Sequence, residues 1–414
     1  MKILISAYAC DPYRGSEPGV GWTAVCRIAR KHDVWVLTDD HNREGWERGA
    51  KEGIIPSNVH VRFLRKNKVF IENRFLAHIQ SWLRYAAFNR LSLKAAQDWH
   101  AEVGFDLCHQ VTIAAWRMPS PLWQLPIPFV WGPIGGAGYI PPKFRGMLST
   151  SARAFERVRD FNTALMLRSK AFRNCIKHTA VVFAANEETE VLLKPHRGDL
   201  PLIRLPIASI PKEKAEQFLR ATGSEPHGPL RLFAGGNLEG RKAVSLALRA
   251  LAKVKAAGVP FHYTLAGGGP EVPSLRKLCT ALGLDDCVEF HPGYRGDDYI
   301  AALQRSHVYF LPSFRESTPV TLLEAYLAGC YPVVADTSAQ GEIVRLAGGT
   351  AVPVNDMESL IQGLADAVIH CDQNREHLPA EVEKSRQKLL QHFDSTRYDE
   401  VIAKAYETAL KKRA

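Results

Sequence analysis

Twelve short apolar runs, separated by helical or loop-rich stretches, constrain the fold of this chain more than any other feature. MKILISAY, DVWVLTD, VHVRFL, DLCHQV, PFVWG and HTAVVFAAN lie in the first half; RLFAGG, HYTLAGG, VEFHPG, HVYFLPS, YPVVAD and TAVPV lie in the second. Helical stretches such as VSLALRALAKVKAAG and EVPSLRKLCTALG intervene. Strands that alternate with helices form parallel sheets covered on both faces, because each parallel return needs a crossover. Two such series predict an α/β protein of two doubly wound, Rossmann-like parallel-sheet domains, and 414 residues are enough for two full cores. The stretch Pro206 to Pro229, rich in Pro, Lys and Glu, reads as the linker, which places the domains at 1–205 and 206–393. The closing stretch over 394–414, DSTRYDEVIAKAYETALKKRA, reads as an amphipathic helix. Ligands of open parallel sheets bind beyond the carboxyl ends of the strands. With two facing domains, the site is expected in the cleft between them, on loops that follow strands.

The first apolar run is too short to span a bilayer and lacks a signal-peptide cleavage region, and no later segment reaches an uninterrupted apolar span. Eight scattered cysteines with no C-x-x-C pair argue against metal or disulfide frameworks and fit a reducing cytosol. The net charge of +10 lies wholly in the first half: 29 Lys and Arg face 18 Asp and Glu through Leu205, against 24 and 25 afterwards. It is dense over Arg62, Arg65, Lys66, Lys68, Arg74, Arg84, Arg90 and Lys94, interleaved with Phe70, Phe75, Trp82, Leu83 and Phe88. That mixture suits an anionic membrane surface, or equally a helix with one buried and one solvated basic face. No nucleic-acid motif accompanies the charge, so nucleic acid is not expected as a partner.

Residues 310–336, FLPSFRESTPVTLLEAYLAGCYPVVAD, carry the densest chemistry. Glu316 sits in a polar turn, Pro319 stands where a helix begins, and Ser317 or Thr318 is placed to cap it. Glu324 lies eight positions after Glu316, on the helix, and shares a face with Val320, Leu323, Leu327 and Ala328. A carboxylate pointing that way needs a partner, and a sugar or ribose diol offers two donors to it. The helix start beside Glu316 offers free N–H groups and a positive dipole end to an anion. In RLFAGGNLEGRKAV an apolar strand ends in Gly235 and Gly236, and Arg241 and Lys242 precede a helix. Glycines let the backbone approach a phosphate, and two cations stabilise a departing diphosphate.

Glu316-STPVTLL-Glu324 resembles the Glu-seven-residue-Glu signature of retaining family 4 glycosyltransferases with the GT-B fold, and further segments follow in matching order. The resemblance implies two Rossmann-like domains facing across a cleft, with the tail crossing back to the first. It implies that Glu316 holds sugar hydroxyls, that Glu324 binds the ribose, that Ser317, Thr318, Pro319 and Val320 line the phosphates, and that Arg241 and Lys242 stabilise the diphosphate. Asn237 stands where the family usually has Arg, and Ala243 where it has Gly. Gly268, in the triple-glycine turn 267–269, resembles the family's Gly-x-Gly-Pro turn, either as a tight turn or as a nucleotide contact. His291, Gly293 and Tyr294 resemble the segment near the base, with Tyr294 either covering the base or simply at the surface. Gly19 and Gly21 resemble the glycine loop that approaches the donor from the first domain, where Glu17 is placed to meet an acceptor. His109 matches a position contacting the transferred sugar, although a lone histidine after an apolar strand is also commonly structural. Gly132, Gly135, Gly136 and Gly138 mark an acceptor-side loop.

The expected activity is transfer of a sugar from a nucleotide-diphosphate sugar to an acceptor hydroxyl with retained anomeric configuration, by front-face attack and without a metal or other cofactor. The acceptor is expected to be a glycan or lipid-linked glycan of envelope or exopolysaccharide synthesis. The expected location is cytoplasmic, peripheral at the inner face of the membrane. A nucleotide-sugar 2-epimerase of the same fold and a non-catalytic sugar-nucleotide-binding subunit are the alternatives.

Overall fold

A computed structural model describes residues 1–64, 77–219 and 228–411. The centre of the basic segment, including Arg65, Lys66, Lys68 and Arg74, lies outside the described residues. The first half supplies seven strands: β1 (Lys2–Ala7), β2 (Asp33–Asp39), β3 (Val59–Leu64), β4 (Leu107–Thr112), β5 (Phe129–Ile134), β6 (Val181–Ala184) and β7 (Leu202–Arg204). The second supplies β8 (Leu230–Gly235), β9 (Phe261–Ala266), β10 (Val288–His291), β11 (Val308–Phe310), β12 (Tyr331–Ala335) and β13 (Thr350–Val352). All pair in parallel, in the orders β3-β2-β1-β4-β5-β6-β7 and β10-β9-β8-β11-β12-β13. Every residue of β4, β5 and β6 is buried, as strands covered by helices on both faces must be. The strand not foreseen, β7, is three residues long and ends in exposed Arg204, so it carries almost no apolar signal.

Each sheet reverses its strand order at one place, between β1 and β4 in the first and between β8 and β11 in the second. A crevice opens beyond the carboxyl ends of the strands there, because the flanking helices lie on opposite faces. The site loops leave from these strands.

The stretch read as a linker carries a helix, Lys212–Leu219, whose Ala215 and Phe218 enter the second core. A second crossing runs beside the first: the Ile210 N–H donates to the Phe393 carbonyl at 2.8 Å. The chain then enters the helix Ser395–Lys411, which lies against β5 and β6 and buries Ile402, Ala405, Tyr406 and Ala409 on the first domain. Arg27 fastens it through Asp399 at 3.0 Å and by stacking 4.2 Å over the Tyr398 ring.

The domains touch around the cleft. A Cβ on Gly135 would come within 2.6 Å of Ser317 Oγ, so only glycine permits that approach. Asn186 donates to the Glu316 carbonyl at 3.1 Å, and Arg315 reaches Glu156 on the helix Thr150–Arg168. Farther out, the Glu187 N–H, at the start of the helix Glu187–Arg197, donates to Glu342 on the helix Ser338–Ala347 at 2.9 Å.

Candidate active site

The turn after β8 and the loop after β11 bring three donors to one oxygen. Lys242 Nζ lies 2.5 Å from Glu316 Oε1, Ser313 Oγ 2.9 Å and Arg241 Nη1 3.2 Å. Arg241 is held in place by Glu239 at 2.8 Å and by the Arg315 carbonyl at 2.8 Å. Burial pushes the Glu316 carboxyl upward in pKa, but Lys242 and Arg241 outweigh that and hold it below the usual carboxylate range. The same pairing raises Arg241 against the opposing effect of its own burial. Glu316 Oε2 accepts no hydrogen bond from the described residues and is free to meet a ligand. Sequence spacing alone did not foresee that Glu316 and the cationic pair are direct partners.

The helix Val320–Ala328 begins at Pro319 with no side-chain cap. The expected caps are used elsewhere: Thr318 Oγ1 accepts from the Ile207 N–H at 3.1 Å, and Ser317 packs against Gly135. The unsatisfied N–H groups of a first turn are therefore left to solvent or ligand. A Cβ on Gly235 would lie 3.4 Å from the Thr321 methyl, which places the end of β8 against this helix start. Leu323 and Leu327 are buried as expected, but Val320 is 39% exposed because it sits at the open first turn.

Glu324 is turned inward, and both oxygens are engaged: Lys214 Nζ lies 2.5 Å from Oε1, and the Tyr299 hydroxyl donates to Oε2 at 2.7 Å. The partner expected for it was a diol, and the structure supplies a lysine from the linker helix. Tyr299 and Tyr294 both pack near Phe233, with ring centroids 6.1 and 6.4 Å away. His291 and Tyr294 stack at 3.7 Å with 4° between their planes, and the Gly293 N–H donates to His291 Nδ1 at 3.1 Å. Tyr294 is thus part of an aromatic wall that leads towards Glu324.

Asn237 pairs with Glu239, the acid that also holds Arg241. A Cβ on Gly267 would fall 2.1 Å from the Gly236 carbonyl oxygen, so these two turns abut backbone to backbone. The Gly268 carbonyl accepts from the Leu238 N–H at 2.7 Å, which gives that turn a packing reason of its own. In the first domain, a Cβ on Gly21 would collide with the Ala9 carbonyl at 2.1 Å, and one on Gly19 would meet the Arg14 carbonyl at 2.8 Å. Both glycines let the helix Ser16–Ala29 lie close to the loop after β1. Glu17 accepts from the Ala114 N–H at 2.6 Å, tying the loops after β1 and β4 together.

His109 does not join the site. Its ring is buried; Nδ1 lies 2.7 Å from the Tyr406 hydroxyl and Nε2 2.7 Å from the Gly132 carbonyl. Burial pushes its pKa down to about 4, so it is neutral at ordinary pH and acts as a buried tie to the terminal helix. Sequence reasoning also missed Ser313 and Ser338, whose hydroxyl accepts from the Glu316 N–H at 3.0 Å. Ser313 lies in a loop and Ser338 opens a helix, and neither carries a distinguishing pattern.

Two doubly wound domains opposed across a cleft, with a cation-paired carboxylate at one corner, define a protein of GT-B architecture. Residues 216–384 match the family model of glycosyl transferases group 1. It is 28% identical over 200 residues to the putative colanic acid biosynthesis glycosyltransferase WcaL of Salmonella typhimurium, covering 46% of this chain and 48% of that protein. It is 26% identical over 232 residues to the amylovoran biosynthesis glycosyltransferase AmsK of Erwinia amylovora, covering 46% and 57%. The chain thus spans about half the length of these relatives. The fold is shared with HepE of Anabaena, solved with UDP and glucose, at a TM-score of 0.61 and 16% identity over 99% of this chain and all of that one.

Proposed function

We propose that the protein transfers a sugar from a nucleotide-diphosphate sugar to an acceptor hydroxyl, with retention of configuration, in the synthesis of an extracellular or envelope polysaccharide. The observation that carries this reading is Glu316, anchored through one oxygen by Lys242, Arg241 and Ser313 and free at the other, beside an uncapped helix start. The diphosphate lies between the cationic turn and the helix start, where N–H groups and guanidinium charge meet its developing negative charge. Glu316 Oε2 accepts from a sugar hydroxyl, and Glu324 receives the ribose by sharing or releasing Lys214. The base extends along the wall of Phe233, Tyr294 and Tyr299. In a retaining front-face reaction the acceptor hydroxyl attacks from the side on which the diphosphate departs, and its proton passes to the leaving group. No metal or other cofactor enters this scheme.

The names of the relatives, colanic acid and amylovoran biosynthesis, support a polysaccharide or lipid-linked glycan acceptor, and HepE with UDP and glucose supports a nucleotide-sugar donor. The intact pairing of Glu316 favours transfer over a non-catalytic subunit. No helix among the described residues is long and apolar enough to cross a membrane. The helix Thr150–Arg168 exposes Val158, Phe161 and Leu165 beside Arg157 and Arg168, which supports a cytoplasmic protein held at an anionic membrane face. Absence of co-sedimentation with anionic vesicles would remove that last part.

A thermal-shift screen of nucleoside diphosphates and their sugars tests the donor site, because a ligand bound to the folded state raises the midpoint. We expect one nucleoside diphosphate to raise the Tm by several degrees in wild type and much less in Lys242→Gln. Flat responses to all of them would end the reading.

A further inference from the structure

Arginines 117, 159 and 315 converge where the loop after β5 meets the second domain. Arg315 clasps both oxygens of Glu156, at 2.9 and 2.7 Å. Arg159 leans on the same carboxylate at 4.0 Å and donates to the Gly136 and Gly138 carbonyls at 2.8 and 2.6 Å. Arg117 is 8% exposed and donates through Nε to Thr163 at 2.9 Å. Among the described residues nothing accepts from its Nη1 or Nη2. A Cβ on Gly136 would stand 3.4 Å from Nη1, so the terminal nitrogens face the loop 135–138.

Three guanidinium groups thus gather around the buried carboxylate of Glu156, and a second acid, Glu188, faces Arg159 and Arg315 across Gly138. Asp160, the other acid of that helix, is taken by Arg145 at 2.6 Å. Burying charge is costly unless an opposite charge and hydrogen bonds compensate it. Burial and mutual repulsion push Arg117 down to about 10 and Arg159 down to about 9. Burial pushes Glu188 up to about 7, so it offsets these cations only in part, and the terminal nitrogens of Arg117 are left without an acceptor among the described residues; guanidinium forks match phosphate oxygens in geometry.

We propose that Arg117, Arg159 and Arg315 form a second anion site, on the acceptor side of the cleft, for a phosphate or pyrophosphate group carried by the acceptor. Its place on the acceptor side rests on the function proposed above; its anion chemistry does not. The site adjoins the Lys242 corner, where the Arg315 carbonyl accepts from Arg241, but uses different side chains; it draws Arg315 from the second domain, so an anion there bonds to both domains.

The test is calorimetric titration of the full chain with inorganic pyrophosphate in wild type, Lys242→Gln and Arg117→Gln. Wild type is expected to bind two pyrophosphates. Arg117→Gln should retain the Lys242-dependent event and weaken the other by about tenfold or more, the scale of a lost charge-assisted hydrogen-bond pair. An Arg117→Gln protein that is folded and binds both equivalents with wild-type affinity overturns the proposal. If that variant fails to fold, Arg117→Lys serves: it keeps the charge but loses the fork, so the second event should weaken several-fold, and unchanged binding overturns the idea. If Lys242→Gln alters nothing while Arg117→Gln does, the donor-site reading fails and this one stands.

Discussion

At the scale of single residues, Glu316 carries most of the argument. It compensates two cations that would otherwise crowd a pocket meant for an anion, and it keeps one oxygen in reserve. Glu316→Gln retains the shape and removes the charge. We expect transfer to fall by about a hundredfold or more, the scale of losing a preorganised electrostatic group. Affinity for the nucleoside diphosphate should hold steady or rise, because Lys242 and Arg241 lose their internal competitor. Steady-state rates together with a diphosphate titration check both halves, and normal turnover would take Glu316 out of the mechanism.

At the scale of elements, the helix Ser395–Lys411 is tied to β4 by one buried contact, His109 to Tyr406. The unfolded histidine protonates near its ordinary value of 6.5, whereas the folded ring stays neutral down to about 4. Between these values the unfolded state binds more protons, so stability falls as pH drops from about 6.5 towards 4. Tyr406→Phe should cost roughly 1–3 kcal/mol by leaving His109 Nδ1 without a partner. His109→Gln should flatten the acid-side loss, with urea unfolding at pH 7.5 and 5 as the measurement; an unchanged slope would refute the assignment.

That pair also shows what could be read before the structure was known. That His109 belongs to an apolar strand was legible, because a buried parallel strand is locally coded; the strand runs on to Thr112, so His109 lies inside β4 and not at its end. Its partner lies 297 positions away, and no local pattern encodes such a distance. The same division holds at the site. The glycine turns, the cationic pair and the two glutamates stand out by residue type and spacing. The capture of Thr318 by Ile207, the seating of Lys214 on Glu324 and the arginines around Glu156 depend on how separate elements dock. The helix 150–168, which carries Glu156 and Arg159, has an ordinary amphipathic sequence with no motif to mark it.

At the scale of the whole molecule, the cleft is closed at one point by a contact that only glycine allows. Gly135→Ala places a methyl group 2.6 Å from Ser317 Oγ, and something must give way. The two halves should separate slightly, so we expect a larger radius of gyration in solution scattering and a transfer rate lower by about tenfold, since catalysis is sensitive to displacements of about an ångström. Stabilisation by the nucleoside diphosphate should persist, because its proposed contacts lie within one domain. Wild-type scattering and wild-type activity in this variant would show that the approach is incidental.

The terminal helix has a consequence for biosynthesis. Residues 395–411 fill a hollow beneath strands made some two hundred residues earlier. On the ribosome that hollow must stay open, with β5 and β6 partly uncovered, until translation has passed Tyr406. The lobe made first is therefore finished only after the strands of the second lobe have been made.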